Sequence, residues 1–120
     1  MTTLLSTRRC MCSELVTVSY PDISGDRLSQ TANLEEIGER SAAVLVETPV
    51  RRGSALRITC GRHTLQGTVR SCTPVQELGY WMEVLLDGQS RWSERVFMPK
   101  HLLRLQRDAR QGQAIPLGAA

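Results

Sequence analysis

The sequence predicts an all-β fold: six short antiparallel strands wrapped into a small barrel or sandwich, with one short helix at the C-terminal end. Three observations carry this. Six stretches rich in Val, Ile, Thr and Leu follow one another before residue 90. The turns between them, marked by Gly, Pro and Asp, are too short for the crossover helices that parallel strands need. From Lys100 to Gln111 the β-branched residues disappear.

Leu15-Val16-Thr17-Val18-Ser19, within Glu14–Tyr20, is the first strand, and Pro21-Asp22 breaks it. Ser24-Gly25-Asp26 makes a turn, and the second strand runs from Thr31 to Ile37, ending near Gly38. The third, Ala42–Thr48, is closed by Pro49, after which Arg51-Arg52-Gly53 turns the chain. In the fourth, Ala55–Cys60, alternation puts Leu56, Ile58 and Cys60 on one face. Gly61-Arg62 leads to the fifth, Leu65–Cys72. Thr73–Leu78 is a polar loop, and the sixth strand, Gly79–Leu86, stops at Asp87-Gly88, a favoured turn pair. Closing such a sheet removes the exposed edges through which strands aggregate. Leu56, Ile58, Val69 and Val84 are the expected core.

The helix is expected over Lys100–Gln111, with Pro99 at its start and Gly112 at its stop. Leu102, Leu105 and Ala109 share the face that packs on the sheet, and Lys100, Arg104 and Arg107 form a solvated basic stripe. Residues 1–7 are expected as a flexible lead, residues 8–110 as one domain, and residues 111–120 as a disordered tail.

With 120 residues, 41% apolar and 22% charged, the chain is one globular domain with enough apolar side chains for a small core. No apolar run approaches the ~20 residues of a membrane-spanning helix. The basic pair Arg8-Arg9 follows two leucines, the reverse of a secretory signal, so a cytoplasmic protein with no membrane partner is expected. The net charge is +3, and of 15 Lys and Arg residues all but Lys100 are arginine, whose planar fork suits phosphates and guanine edges. Aromatic residues, at 4%, are too few for the base-stacking surface of a single-strand binder. A small basic barrel that binds RNA through its arginines is therefore only a further reading.

Cys10, Cys12, Cys60 and Cys72 are expected as partly buried thiols, since nothing points to an oxidising compartment. Cys10-x-Cys12 is tighter than a metal-binding pair, and Cys60-x-x-His63 lacks a matching second pair, so no metal site is expected. His63 and His101 are the available acid–base groups, and neither stands in a nucleophile motif. On a regular strand Glu35 and Glu36 point to opposite faces and cannot act on one substrate. The chain is expected not to be an enzyme.

The order of the remaining features goes further. An Arg-Arg-containing segment precedes the first strand, and Glu36–Ser41, an acidic-Ile-Gly-Glu-x-small turn, joins strands two and three. Pro49-Val50-Arg51-Arg52-Gly53 follows, and the sixth strand opens Gly79-Tyr80-Trp81-Met82-Glu83-Val84. Over residues 8 to 103 the chain resembles a PilZ domain, the bacterial signalling module that binds cyclic di-GMP. The resemblance implies a six-stranded antiparallel barrel with a C-terminal helix, and a ligand clasped on the barrel's outside by the N-terminal segment.

The family's R-x-x-x-R reads Arg8-Arg9-Cys10-Met11-Cys12, with Arg8 in the first arginine's place and Cys12 in the second's. Its D/N-x-S-x-x-G reads Glu36-Ile37-Gly38-Glu39-Arg40-Ser41. Asn33–Gly38 is a second register, and Asp22–Arg27 lies too close to Arg8 and reads as a hairpin loop. The ligand positions that the resemblance implies are Arg8, Arg9, Cys12, Glu36, Gly38 and Ser41. A guanidinium grips two phosphate oxygens or the O6/N7 edge of guanine. Cys12 has neither charge nor fork, Gly38 lacks a hydroxyl, and Ser41 puts a side chain where glycine admits a ligand. Each lost charge-assisted hydrogen bond costs about 1.5–3 kcal/mol. A signalling domain whose direct binding is weak or lost, and which acts on a protein effector, is therefore expected. A receptor that still binds cyclic di-GMP, its one ligand and with no cofactor, is the alternative.

Overall fold

The computed structural model describes residues 9–93, 98, 99, 101–105 and 114–116. Among the described residues eight strands run in chain order: β1 (Arg9–Pro21), β2 (Arg27–Gly38), β3 (Ser41–Val46), β4 (Ala55–Cys60), β5 (His63–Val75), β6 (Gly79–Leu86), β7 (His101–Leu105) and β8 (Ala114–Pro116). A short 3-10 turn, Gly88–Ser90, follows β6. Every pairing is antiparallel. The order is β2-β3-β6-β5-β4-β1, and β1 returns to pair with β2, so six strands close into a barrel. The first half of β1 carries β7 on its other side, and β7 carries β8.

The period-two pattern of the sequence decides which side chains fill this barrel. Val16, Val18 and Tyr20 of β1, Ala42, Val44 and Val46 of β3, and Met82, Val84 and Leu86 of β6 all enter one core. The expected core residues Leu56, Ile58, Val69 and Val84 are buried there. Burying each such aliphatic side chain stabilises the fold by roughly 1.5–3 kcal/mol. At Gly67 of β5 an added Cβ would run into the carbonyl oxygen of Leu85, so the close approach of β5 to β6 needs a glycine.

The β1–β2 turn is held by Asp22, whose Oδ1 accepts from the Ser24 amide at 2.9 Å, the Ser24 hydroxyl at 2.8 Å and the Asp26 amide at 2.9 Å. Asp22–Arg27 is thus the hairpin loop that its spacing predicted. Between β3 and β4, Gly53 takes a φ of 89° and its amide donates to Val69 O at 2.8 Å, fastening the turn to β5.

Four expectations are corrected. His101–Leu105 is a strand, not helix: Cys10–Ser13 of β1 lies beyond the reach of β4, and β7 supplies the backbone partners that β4 cannot. Lys100 and residues 106–113 lie outside the described residues, as do 1–8 and 117–120. Ala114–Pro116, expected within a disordered tail, forms β8 against β7. β5 continues through the expected loop to Val75, because Thr73, Pro74 and Val75 pair with Trp81, Tyr80 and Gly79. Pro74 fits there because β4 has already ended and no second neighbour asks for its missing N–H. Finally, the register of β2 against β3 shifts between Leu34 and Glu36. Leu34 and Ile37 both enter the core although three residues apart, and this bulge turns Glu35 and Glu36 alike away from it.

Candidate functional site

β1 begins at Arg9, whose backbone faces Gly38 at the end of β2. Glu39 and Arg40 then turn the chain, and Ser41 opens β3. Glu36, Ala43 and Glu83 stand directly opposite one another across β2, β3 and β6. Ala43 alternates with the core residues Ala42 and Val44, so it faces outward, yet it is fully buried. What covers it is the bridge that Arg9 makes above this row. Arg9 Nη1 donates to Glu36 Oε1 at 2.8 Å, Nη2 is ion-paired with Glu83 Oε1, and Nε donates to Ser41 Oγ at 3.0 Å. Trp81 Nε1 completes the cluster by donating to Glu83 Oε2 at 2.7 Å.

Burial works against the charge on Arg9, but the hydrogen bonds and charges of Glu83 and Glu36 outweigh it and raise its pKa. For Glu83 burial likewise opposes ionisation, and the bonds from Arg9 and Trp81, with the fields of Arg9 and Arg70, hold its carboxyl below the ordinary range. The cluster is thus a charged, hydrogen-bonded brace on the barrel's outer face, with two carboxylates for one guanidinium.

Of the expected ligand positions, the fold brings Arg9, Glu36, Gly38 and Ser41 together and leaves Cys12 out. The sequence expects Arg9 and Cys12 on a free segment before the first strand. Both lie within β1: Arg9 pairs with Gly38 of β2, and Cys12, in the stretch between Met11 and Glu14 where the β1–β2 register shifts, pairs with Leu102 of β7. Cys12 points into the core, where its thiol donates to Leu34 O at 3.5 Å. Burial, followed by the nearby charges of Glu14, Glu35, Cys10 and Glu36, pushes that thiol's pKa up to about 12. Arg8 lies outside the described residues.

Glu83 and Trp81 are the site residues that sequence reasoning missed. Alternation along the sixth strand was enough to place them on the face opposite Met82 and Val84. Their meeting with Arg9, however, depends on which strand pairs with β3. The four cysteines form no disulfide, and among the described residues no three His, Cys, Asp or Glu side chains converge as a metal site would require. Among the same residues no helix is long and apolar enough to cross a membrane. No protein family model, curated protein or solved structure matches the chain.

Proposed function

We propose that the chain is a PilZ-like bacterial signalling domain that has given up direct cyclic di-GMP binding and acts, in the cytoplasm, by contact with a protein effector. The observation that carries this reading is the Arg9 guanidinium, held by Glu36, Glu83 and Ser41. A phosphate would have to displace two carboxylates from a fork with four of its five N–H donors already engaged, and would itself be repelled by them. Cys12, at the place of the second motif arginine, is in the core and has no route to the outer face. The six-stranded antiparallel barrel and the meeting of Arg9 with Glu36–Ser41 support the PilZ likeness. The domain has no catalytic role in this reading.

The test is a titration of the purified protein with fluorescent cyclic di-GMP. No saturable binding is expected at low micromolar ligand. Sub-micromolar binding that is lost on Arg9→Ala would overturn the proposal in favour of a working receptor.

A further inference from the structure

The net basic charge of the chain is concentrated in one segment. From Thr48 to Gln76 the chain carries no Asp or Glu, but five arginines: Arg51, Arg52, Arg57, Arg62 and Arg70. The whole protein has a net charge of only +3, so its charge is segregated. This segment is the β3–β4 turn and the β4–β5 hairpin, with the start of the turn that follows. All five arginines are exposed, and among the described residues none forms an ion pair.

The fold arranges them along one ribbon. The bonds from Gly53 N to Val69 O at 2.8 Å and from Val69 N to Ser54 O at 3.0 Å fix the Arg51-Arg52 turn beside Arg70. Arg57 stands opposite Gln66 in the middle, and Arg62 is at the hairpin's far end, next to His63. Exposed Thr64, Gln66 and Thr68 supply hydrogen-bonding groups between the charges. Next to the Arg51-Arg52 turn, Ser71 and Thr73 join the two arginines in lining an open cleft of 590 Å³.

We infer that the β4–β5 ribbon is a docking surface for an extended acidic segment of a partner protein. This rests on the protein-contact reading above and names the chemistry of the partner. Arginine forks match carboxylates bidentately. Arg70 lies four residues beyond Gln66, roughly 13 Å along the strand. That is also about four residues of an extended peptide, so acidic side chains on one face of such a peptide meet the arginines in turn. A duplex phosphate backbone, with one charge per ~1.7 Å, calls for a denser stripe. Single strands call for stacking rings, and Thr48–Gln76 contains no Phe, Tyr or Trp and a single His, His63.

The test is fluorescence anisotropy with a labelled peptide of alternating Asp and Thr, its Asn-for-Asp counterpart, a duplex RNA and cyclic di-GMP. The acidic peptide is expected to bind at low salt, to weaken as salt rises, and to bind more tightly than either the Asn peptide or the RNA. Arg57→Gln/Arg70→Gln is expected to weaken peptide binding about tenfold. Thr31→Glu/Arg40→Gln changes the net charge equally at two exposed positions, on β2 and in the turn after it, and is expected to cost less than about threefold. Circular dichroism checks that each variant keeps its β signature. Equal weakening by the two double variants, tighter binding of the RNA, or no saturable peptide binding at low salt each overturns the inference. Cyclic di-GMP binding through Arg9 would sink the effector reading while leaving the ribbon's peptide binding to be judged on its own arms.

Discussion

Arg9 and Cys12, three residues apart on β1, face opposite sides of the barrel wall: Arg9 lies over Ala43 on the outside, and the Cys12 thiol meets the Leu34 carbonyl inside. An extended strand turns residues three apart to opposite faces, so these two side chains cannot meet one ligand on the outer face. The register of β1 has already assigned them to different solvents.

Arg9 is expected to stabilise the barrel. Its side chain is 19% exposed, so water can replace only part of what Glu36 and Glu83 provide. Arg9→Met removes the guanidinium and leaves two carboxylates flanking Ala43. A loss of about 1–3 kcal/mol is expected, read as a lower urea midpoint. Adding Glu83→Gln should recover part of it, since Glu36 then no longer has the Glu83 charge across Ala43 from it.

Acid should weaken the same brace. The folded state holds the Glu83 carboxyl below its ordinary value of 4.5, so it favours the charged form more than the unfolded chain does. The stability this contributes is fully present above that value and is lost as pH falls through the lower, folded pKa. Arg9 stays charged throughout. Urea melts from pH 6 downward are therefore expected to show a falling unfolding free energy below about pH 4.5, with a shallower slope in Glu83→Gln. An unchanged slope would show that other carboxylates carry the acid response.

The Cys12 thiol should be inert. Its pKa of about 12 leaves almost no thiolate at pH 8, and the core excludes reagent. Disulfide-exchange labelling of the native protein, mapped by mass spectrometry, is expected to spare Cys12 until the protein is unfolded. For the same reason Cys12→Arg does not rebuild a receptor. It puts an unpaired guanidinium among Val16, Leu34 and their neighbours, at a cost of several kcal/mol. A soluble, folded Cys12→Arg variant that binds cyclic di-GMP would refute this placement.

The strands and their inward residues were legible because alternation is a local property: Leu56, Ile58, Val69 and Val84 needed no knowledge of which strand lay next door. The β2–β3 turn was legible too, although of the expected Glu36–Ser41 only Glu39 and Arg40 lie between the strands. Glu83 was not, since its meeting with Arg9 spans 74 residues and depends on β6 pairing with β3. Glu36 was assigned to the wrong face relative to Glu35 because a bulge breaks the period of two without any glycine to announce it. His101–Leu105 was misread because a run of Leu and Arg carries helix propensity, and the vacant flank of β1, a tertiary feature, overrides it.

Gly67→Ala tests a close approach between strands. The new methyl would meet the Leu85 carbonyl, which belongs to backbone and cannot swing aside. A loss of about 1–3 kcal/mol is expected from overpacking alone. Gly88→Ala, where a Cβ meets nothing, is the control and should stay within about 0.5 kcal/mol of the parent.

β1 also sets how the molecule must assemble. Its partners come from the next strand, from Arg57–Thr59, and from His101–Leu105, so one segment near the start of the chain waits on pieces made progressively later. The hairpins β1–β2, β4–β5 and β5–β6 need only nearby residues. The seam between β1 and β4 closes a loop of some forty residues, and β7 closes one more than twice as long. Such non-local closure is slow relative to hairpin formation. During synthesis, among the described strands, the first half of β1 therefore has only β2 as a partner until β7 has been made.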